Sequence, residues 1–257
     1  MIFDSHAHYD DSAFDEDRES LLLSMKNNGI EYIVDVAAEY GSIDVIYEMT
    51  QKYDFVYGTV GVHPSELEGM NEERFEQMKK KSVRDKIVAI GEIGLDYYWE
   101  KEEDAKMNQR DWFVKQLQLA REVDKPVVIH SREAAADTLE IMKKEAMDLR
   151  GVVHCYSYSK ELAKVYADMG YYFGIGGVLT YKNAKKLVEV VEYLPLDLIL
   201  LETDSPYLSP VPNRGKRNSS LNLPYVAEKI AEIKNIPYDT VVEVTAENAK
   251  KLFFGKV

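Results

Sequence analysis

Two histidines separated by one residue open the chain, in the run Asp4-Ser5-His6-Ala7-His8. Alternate side chains of an extended segment share a face, so both imidazoles would point the same way, as two ligands of one metal ion do. The other three of the five histidines each end a short apolar run: His63 after Val60-Gly61-Val62, His130 after Pro126-Val127-Val128-Ile129, and His154 after Gly151-Val152-Val153. Carboxylates follow the same rule, in Gly91-Glu92-Ile93-Gly94-Leu95-Asp96 and in Glu202-Thr203-Asp204-Ser205-Pro206. A carboxylate placed directly on an apolar strand is costly to desolvate, and a bound cation removes that cost. Imidazoles and carboxylates arriving together from several strand ends are the donors of a metal centre, and a carboxylate can bridge two ions about 4 Å apart.

The elements that must bring these groups together are legible as apolar runs alternating with amphipathic stretches. Strand candidates are Ile2–Asp4, Ile30–Ala37, Phe55–Val62, Ile87–Ile93, Pro126–Ile129, Gly151–His154, Tyr171–Gly174 and Leu198–Glu202. Helical patterns separate them, from Asp17–Asn28 to Ala184–Val191, and two more, Leu223–Lys234 and Tyr238–Phe253, follow the last strand. Runs such as Leu198-Ile199-Leu200-Leu201 suit parallel strands buried on both faces. Eightfold alternation predicts an α/β fold of the (β/α)8 TIM-barrel type. An open doubly wound sheet is disfavoured because it gathers ligands at one switch point, whereas here polar residues follow six different strands. No Pro/Gly/Ser-rich linker divides the chain, which predicts a single domain over 1–257.

With 46% hydrophobic and 30% charged residues, the chain has the composition of a folded globular protein. No apolar run approaches the roughly 20 residues that span a bilayer, and no basic-then-apolar leader is present, which predicts a cytoplasmic protein with no membrane association. One cysteine, Cys155, excludes an internal disulfide. A net charge of −13 argues against a non-specific grip on duplex DNA. It leaves nucleic acid open as a substrate, because a metal centre neutralises phosphate locally.

Six blocks resemble, in order and spacing, the TatD-type metal-dependent deoxyribonucleases of the metallo-dependent hydrolase superfamily. They are Asp4-Ser5-His6-Ala7-His8, Gly61-Val62-His63-Pro64, Gly91-Glu92-Ile93-Gly94-Leu95-Asp96-Tyr97, His130-Ser131-Arg132-Glu133-Ala134, His154-Cys155-Tyr156-Ser157 and Glu202-Thr203-Asp204-Ser205-Pro206-Tyr207-Leu208. The resemblance implies two divalent ions, one on His6, His8, Glu92 and Asp204 and the other on Glu92, His130 and His154, with Glu92 bridging. The mixed nitrogen and oxygen donors suit Zn, Mn, Co, Ni or Mg. Two departures fall in loops rather than on proposed ligands. Many family members carry Asn-Glu-Pro after the basic segment, where this chain has Asn218-Ser219-Ser220 after Arg214-Gly215-Lys216-Arg217, and Tyr158 stands where a glycine is common.

The resemblance implies a phosphodiesterase that removes nucleotides from the 3′ side of DNA ends or short single strands. Asp204 is expected to take the proton of the attacking water, with Glu202 the second choice because strand alternation would put both on one face. His63, outside the ligand set, is expected to polarise a phosphate or leaving group, to orient a ligand, or to serve the barrel structurally. Arg132, Arg214, Lys216 and Arg217 are candidates for phosphate oxygens. Tyr97, Tyr98 and Trp99, following Glu92, could stack on a base or pack over the barrel mouth. The competing enzyme class is a bimetallic amide, ester or lactone hydrolase acting on a small molecule, and a third possibility is a non-catalytic metal-bound scaffold.

Overall fold

The computed structural model describes residues 1–255. Its strands are β1 (Ile2–Ala7), β2 (Ile30–Asp35), β3 (Val56–Val60), β4 (Ile87–Asp96), β5 (Val127–Arg132), β6 (Gly151–Val153), β7 (Tyr172–Ile175) and β8 (Ile199–Leu201). The α-helices are α1 (Arg18–Ser24), α2 (Ser42–Lys52), α3 (Glu72–Ser82), α4 (Glu103–Glu122), α5 (Ala135–Glu145), α6 (Lys160–Asp168), α7 (Lys185–Tyr193), α8 (Leu223–Lys234) and α9 (Tyr238–Phe254). The strands form one eight-stranded sheet in sequence order, with parallel pairing between β1 and β2, along β3–β6, and between β7 and β8. This is the (β/α)8 barrel that the alternation predicts.

Internal contacts divide the chain into two compact units, Met1–Asp35 with Cys155 onward, and Val36–His154. In the first unit β1 meets β8 and the segment after it: Ser5 Oγ donates to the Leu201 carbonyl at 3.0 Å, His8 N to the Ser205 carbonyl at 2.8 Å, and Ala7 and Ser205 form a parallel bridge. Every residue of β1 is buried. Phe3 packs against Tyr32 of β2 and against Phe253 and Phe254 of α9, with ring centroids 5.5–6.0 Å apart. Asn248 of α9 donates to the carbonyls of Leu196 and Ile199, both at 2.9 Å, which fastens this helix beside the start of β8. The α8 helix ends at Asn235, whose left-handed φ of 51° stops it, and Pro237 then precedes α9.

In the second unit β4 is buried at every residue except Val88, as a central parallel strand requires. The α3 helix shows how local sequence sets an element's bounds. Asn71 caps it by accepting from Arg74 N at 3.0 Å, Glu72 and Glu73 occupy the first turn, and Lys79, Lys80 and Lys81 the last, all favourable to the helix dipole.

Three strands outrun their apolar segments: β1 continues past Asp4 through His6, β4 past Ile93 to Asp96, and β5 past Ile129 to Arg132. The register pairs Gly94 with His130, Leu95 with Ser131 and Asp96 with Arg132. Backbone pairing is indifferent to side-chain polarity, so the ladder persists where the hydrophobic pattern stops. Conversely β8 is short, and Glu202 and Asp204 lie beyond it. Strand alternation therefore does not govern their relative orientation, contrary to the expectation from sequence. Among the described residues, no helix is long and apolar enough to cross a membrane.

Candidate metal centre

In the first unit β1 delivers His6, the residue just past its end is His8, and the turn after β8 delivers Asp204. His6 Nε2 and His8 Nε2 are 3.1 Å apart, and Asp204 Oδ1 lies 3.7 and 3.3 Å from them. Ligands at 2.0–2.1 Å from a tetrahedral ion sit about 3.4 Å from one another, so these three atoms have the mutual spacing of donors around one cation. Asp204 adopts a left-handed φ of 55°, uncommon for a residue with a Cβ and characteristic of strained functional positions. Its amide donates to the His6 carbonyl at 2.9 Å, which ties the turn to β1.

Beneath them Asp4 is fully buried and accepts from His6 N, Thr203 N, Thr203 Oγ1 and Ser220 Oγ at 2.6–3.3 Å. Burial raises its pKa to about 7 in spite of those hydrogen bonds. Asp4 thus joins the strand bearing His6 to the turn bearing Asp204. Its position in the Asp4-Ser5-His6-Ala7-His8 run was the only hint of this in the sequence.

Glu202 plays a different part. Its Oε1 accepts from Cys155 N at 2.6 Å, and its carboxylate fills the space above Gly174, where a Cβ would come within 1.9 Å of Oε2. It fastens the turn at Cys155, itself left-handed at φ 45°. A small cavity of about 50 Å3 lies beside Asp204, lined also by Cys155, Tyr156, Gly174, Gly176 and Glu202.

In the second unit Glu92 is the hub. Its Oε1 lies 2.8 Å from His130 Nδ1, 3.0 Å from His154 Nε2 and 3.7 Å from His63 Nε2. The middle of β4 that carries it is pinned, with Glu92 N donating to the Ala37 carbonyl at 2.8 Å and Thr59 Oγ1 to the Gly91 carbonyl. On its other side His130 Nε2 lies 3.1 Å from Asp96 Oδ2. Burial alone would depress the His130 pKa, but the bonds to Asp96 and Glu92 outweigh it and hold it above the ordinary value. Burial would raise Asp96, and the bond to His130 outweighs that and keeps it below the usual carboxylate range. An ionised Asp96 accepting from Nε2–H directs Nδ1 toward Glu92, the orientation of a carboxylate–histidine–metal arrangement.

His63 lies within ligand distance of Glu92 and His130, and the three together have metal-binding spacing. Its hydrogen bonding argues otherwise. Ser65 N donates to His63 Nδ1 at 3.1 Å, so the neutral ring carries its proton on Nε2 and presents a donor, not a lone pair, toward the site. Burial, reinforced by the neighbouring His130, lowers the His63 pKa to about 3 and keeps it neutral.

Two glutamines of α4, seven residues apart, clamp strand ends in this unit. Gln116 accepts from Val62 N at 2.8 Å and donates to the Val62 carbonyl at 3.1 Å, immediately before His63. Gln109 does the same for Asp96, at 2.9 and 3.1 Å. Both are buried in a helix otherwise rich in charge. Two turns of spacing on the apolar face was the available sequence signal, and it was missed.

The donor set in each unit fits a divalent ion, and comparison with known proteins agrees. The TatD related DNase family model matches residues 3–254. The chain belongs to the TatD family. It is 42% identical over 254 residues to the uncharacterized metal-dependent hydrolase YabD of Bacillus subtilis, covering 98% of this chain and 99% of that one. It is 35% identical over 257 residues to the uncharacterized metal-dependent hydrolase YcfH of Escherichia coli K12, covering 98% and 96%. The crystal structure of YJJV, a TatD homolog from E. coli K12, superposes with a TM-score of 0.91 at 30% identity, over 98% of each chain. The protein is thus a metal-dependent hydrolase of the TatD family.

The predicted phosphate-binding cations divide. Arg217 donates to both carboxylate oxygens of Asp17, at 2.8 and 2.6 Å, and to the Ala13 carbonyl at 2.7 Å. That fork is used within the fold. Arg214 lies over the Tyr181 ring at 4.3 Å and Lys216 is exposed, while Arg132 rests 3.9 Å above the Tyr98 ring.

Proposed function

We propose that the protein is a deoxyribonuclease that hydrolyses phosphodiester bonds at the 3′ end of DNA or of short single strands, using two divalent ions. The carrying observation is the orientation of His130 by Asp96 beside Glu92, which prepares an imidazole lone pair and a carboxylate for the same cation. In this reading His6, His8 and Asp204 would hold one ion, and Glu92, His130 and His154 the other. When bound, the metal supplies Lewis-acid polarisation of phosphate and activation of water at neutral pH.

The chain's own groups then divide the remaining work. Asp204, whose side chain is 19% accessible, accepts the proton of the attacking water. The His63 Nε2–H donates a hydrogen bond to an oxygen of the scissile phosphate, a role suited to a ring whose Nδ1 is occupied by Ser65. Arg132, Arg214 and Lys216 hold phosphate oxygens. Arg217, committed to Asp17, shapes the loop that carries the last two. Glu202 keeps the Cys155 turn in place and is a positioning residue in this scheme.

The deciding experiment incubates metal-stripped protein with end-labelled single-stranded DNA, RNA, and simple phosphodiesters and esters, restoring Mg²⁺, Mn²⁺, Co²⁺, Ni²⁺ or Zn²⁺ singly. A ladder of mononucleotides released from the 3′ end is expected. Absence of DNA product with every metal sinks the proposal. Hydrolysis of carboxylic esters, amides or lactones in its place, undiminished when Arg214 and Lys216 are neutralised, would assign the small-molecule chemistry instead.

A further inference from the structure

The turn after β4 displays two aromatic rings to solvent within the unit that carries Glu92 and His130. Trp99 is 68% exposed and Tyr98 42%, with ring centroids 4.5 Å apart at 88°. The Arg132 guanidinium lies over Tyr98 at 3.9 Å and near Trp99 at 5.8 Å. Among the described residues it has no hydrogen-bond partner, so its donors remain available. Lys101 lies 6.0 Å from the Tyr98 ring and is tied to the Tyr97 carbonyl at 2.6 Å.

The base of this turn is held firmly. Tyr97 N donates to the Arg132 carbonyl at 2.9 Å, Tyr97 OH donates to Asp137 at 2.8 Å, Arg110 donates to Tyr97 OH at 3.1 Å, and Tyr98 N donates to Asp96 at 2.9 Å. Asp96 is the residue that touches His130 and pairs in register with Arg132. The strand ends of the candidate centre thus carry an exposed indole set edge-on against a Tyr98 ring whose face is covered by the Arg132 guanidinium.

We propose that Tyr98, Trp99 and Arg132 form a stacking platform for an unpaired nucleobase, which selects single-stranded nucleic-acid ends for the hydrolytic centre. A base stacks on the exposed indole, while the free edge of Arg132 takes the adjoining phosphate. Glu100 and Glu102, which follow in the same connection, oppose a longer polyanion and restrict the platform to one or two terminal nucleotides. The base-stacking role rests on the nuclease reading, and the test separates the two.

Trp112, the second tryptophan, is only 7% exposed, so quenching of intrinsic fluorescence by an oligonucleotide reports mainly on Trp99. The metal-loaded full chain is titrated with a short phosphorothioate strand and assayed on cleavable strands ending in an ordinary or an abasic nucleotide. Quenching is expected in the wild type and lost in Trp99→Ala. On ordinary ends Trp99→Ala raises KM about tenfold with kcat little changed, and Trp99→Phe restores most of it. Removing the terminal base from the substrate has a similar effect, and the two losses do not add. Cleavage of DNA without quenching, or equal effects of Trp99→Ala on ordinary and abasic ends, overturns the platform. So does a concentration-dependent dimer abolished by Trp99→Ala, which would make this surface a contact between copies. Quenching without cleavage under any metal overturns the nuclease reading and leaves the platform standing.

Discussion

Asp96 decides which nitrogen of His130 faces the site, and this can be tested without any assay of turnover. Replacing it by Asn removes the ionised acceptor, so metal affinity should fall about 10–100-fold, measured by competition with a chelating dye. The raised pKa of His130 adds a pH dependence of known sign. Below that pKa the metal-free ring is protonated on both nitrogens, and a cation must displace a proton. Affinity should therefore weaken as pH falls through the raised value, with proton release detectable by calorimetry in buffers of different ionisation enthalpy. Equal heats in all buffers would refute it. For His63 the expectation is the reverse of a ligand's: His63→Ala should keep the full metal content by elemental analysis and lose about 100-fold in kcat. Loss of metal in that variant would return His63 to the ligand set.

At the scale of the elements, the informative surprise is that pairing continues where hydrophobicity ends. His6, Asp96 and His130 belong to strands, not to loops beyond them, and strand residues are held more rigidly than loop residues. The α4 helix extends that rigidity by using Gln109 and Gln116 as backbone clamps. Gln116→Leu preserves volume but leaves the buried Val62 N–H and carbonyl without these partners, so a loss of about 1–3 kcal/mol is expected in denaturant unfolding. Activity should fall further than stability explains, because His63 follows the unclamped residue. Type and order of the elements were legible from side-chain periodicity. Their ends were not, since ladder hydrogen bonds depend on the neighbouring strand's register rather than on the strand's own residues.

At the scale of the whole molecule, a single domain remains the expectation from the uninterrupted alternation of strands and helices. It predicts one cooperative thermal transition for the metal-loaded protein, seen identically by far-UV circular dichroism and tryptophan fluorescence. Two transitions would show that the two compact units unfold separately. Adding a strong chelator should lower the midpoint. Ions present at 100 to 1,000 times Kd stabilise by about 3–4 kcal/mol, and each kcal/mol is worth about 2–4 °C at this chain length. An unchanged midpoint would mean that metal and folding are uncoupled.

The sequence by itself determined the alternation of elements, the barrel they imply, and the imidazoles and carboxylates at the strand ends, because periodicity and residue chemistry are local properties of a chain. Tertiary structure decided what each polar group does. Ser65 N–H selects the His63 tautomer, Asp96 that of His130, and Asp17 engages Arg217 across 200 residues of sequence. Glu202 and Asp204, two residues apart, are sent to separate tasks by a left-handed backbone turn. Hydrogen-bond partners are chosen by distance and direction in three dimensions, and no spacing along the chain encodes them.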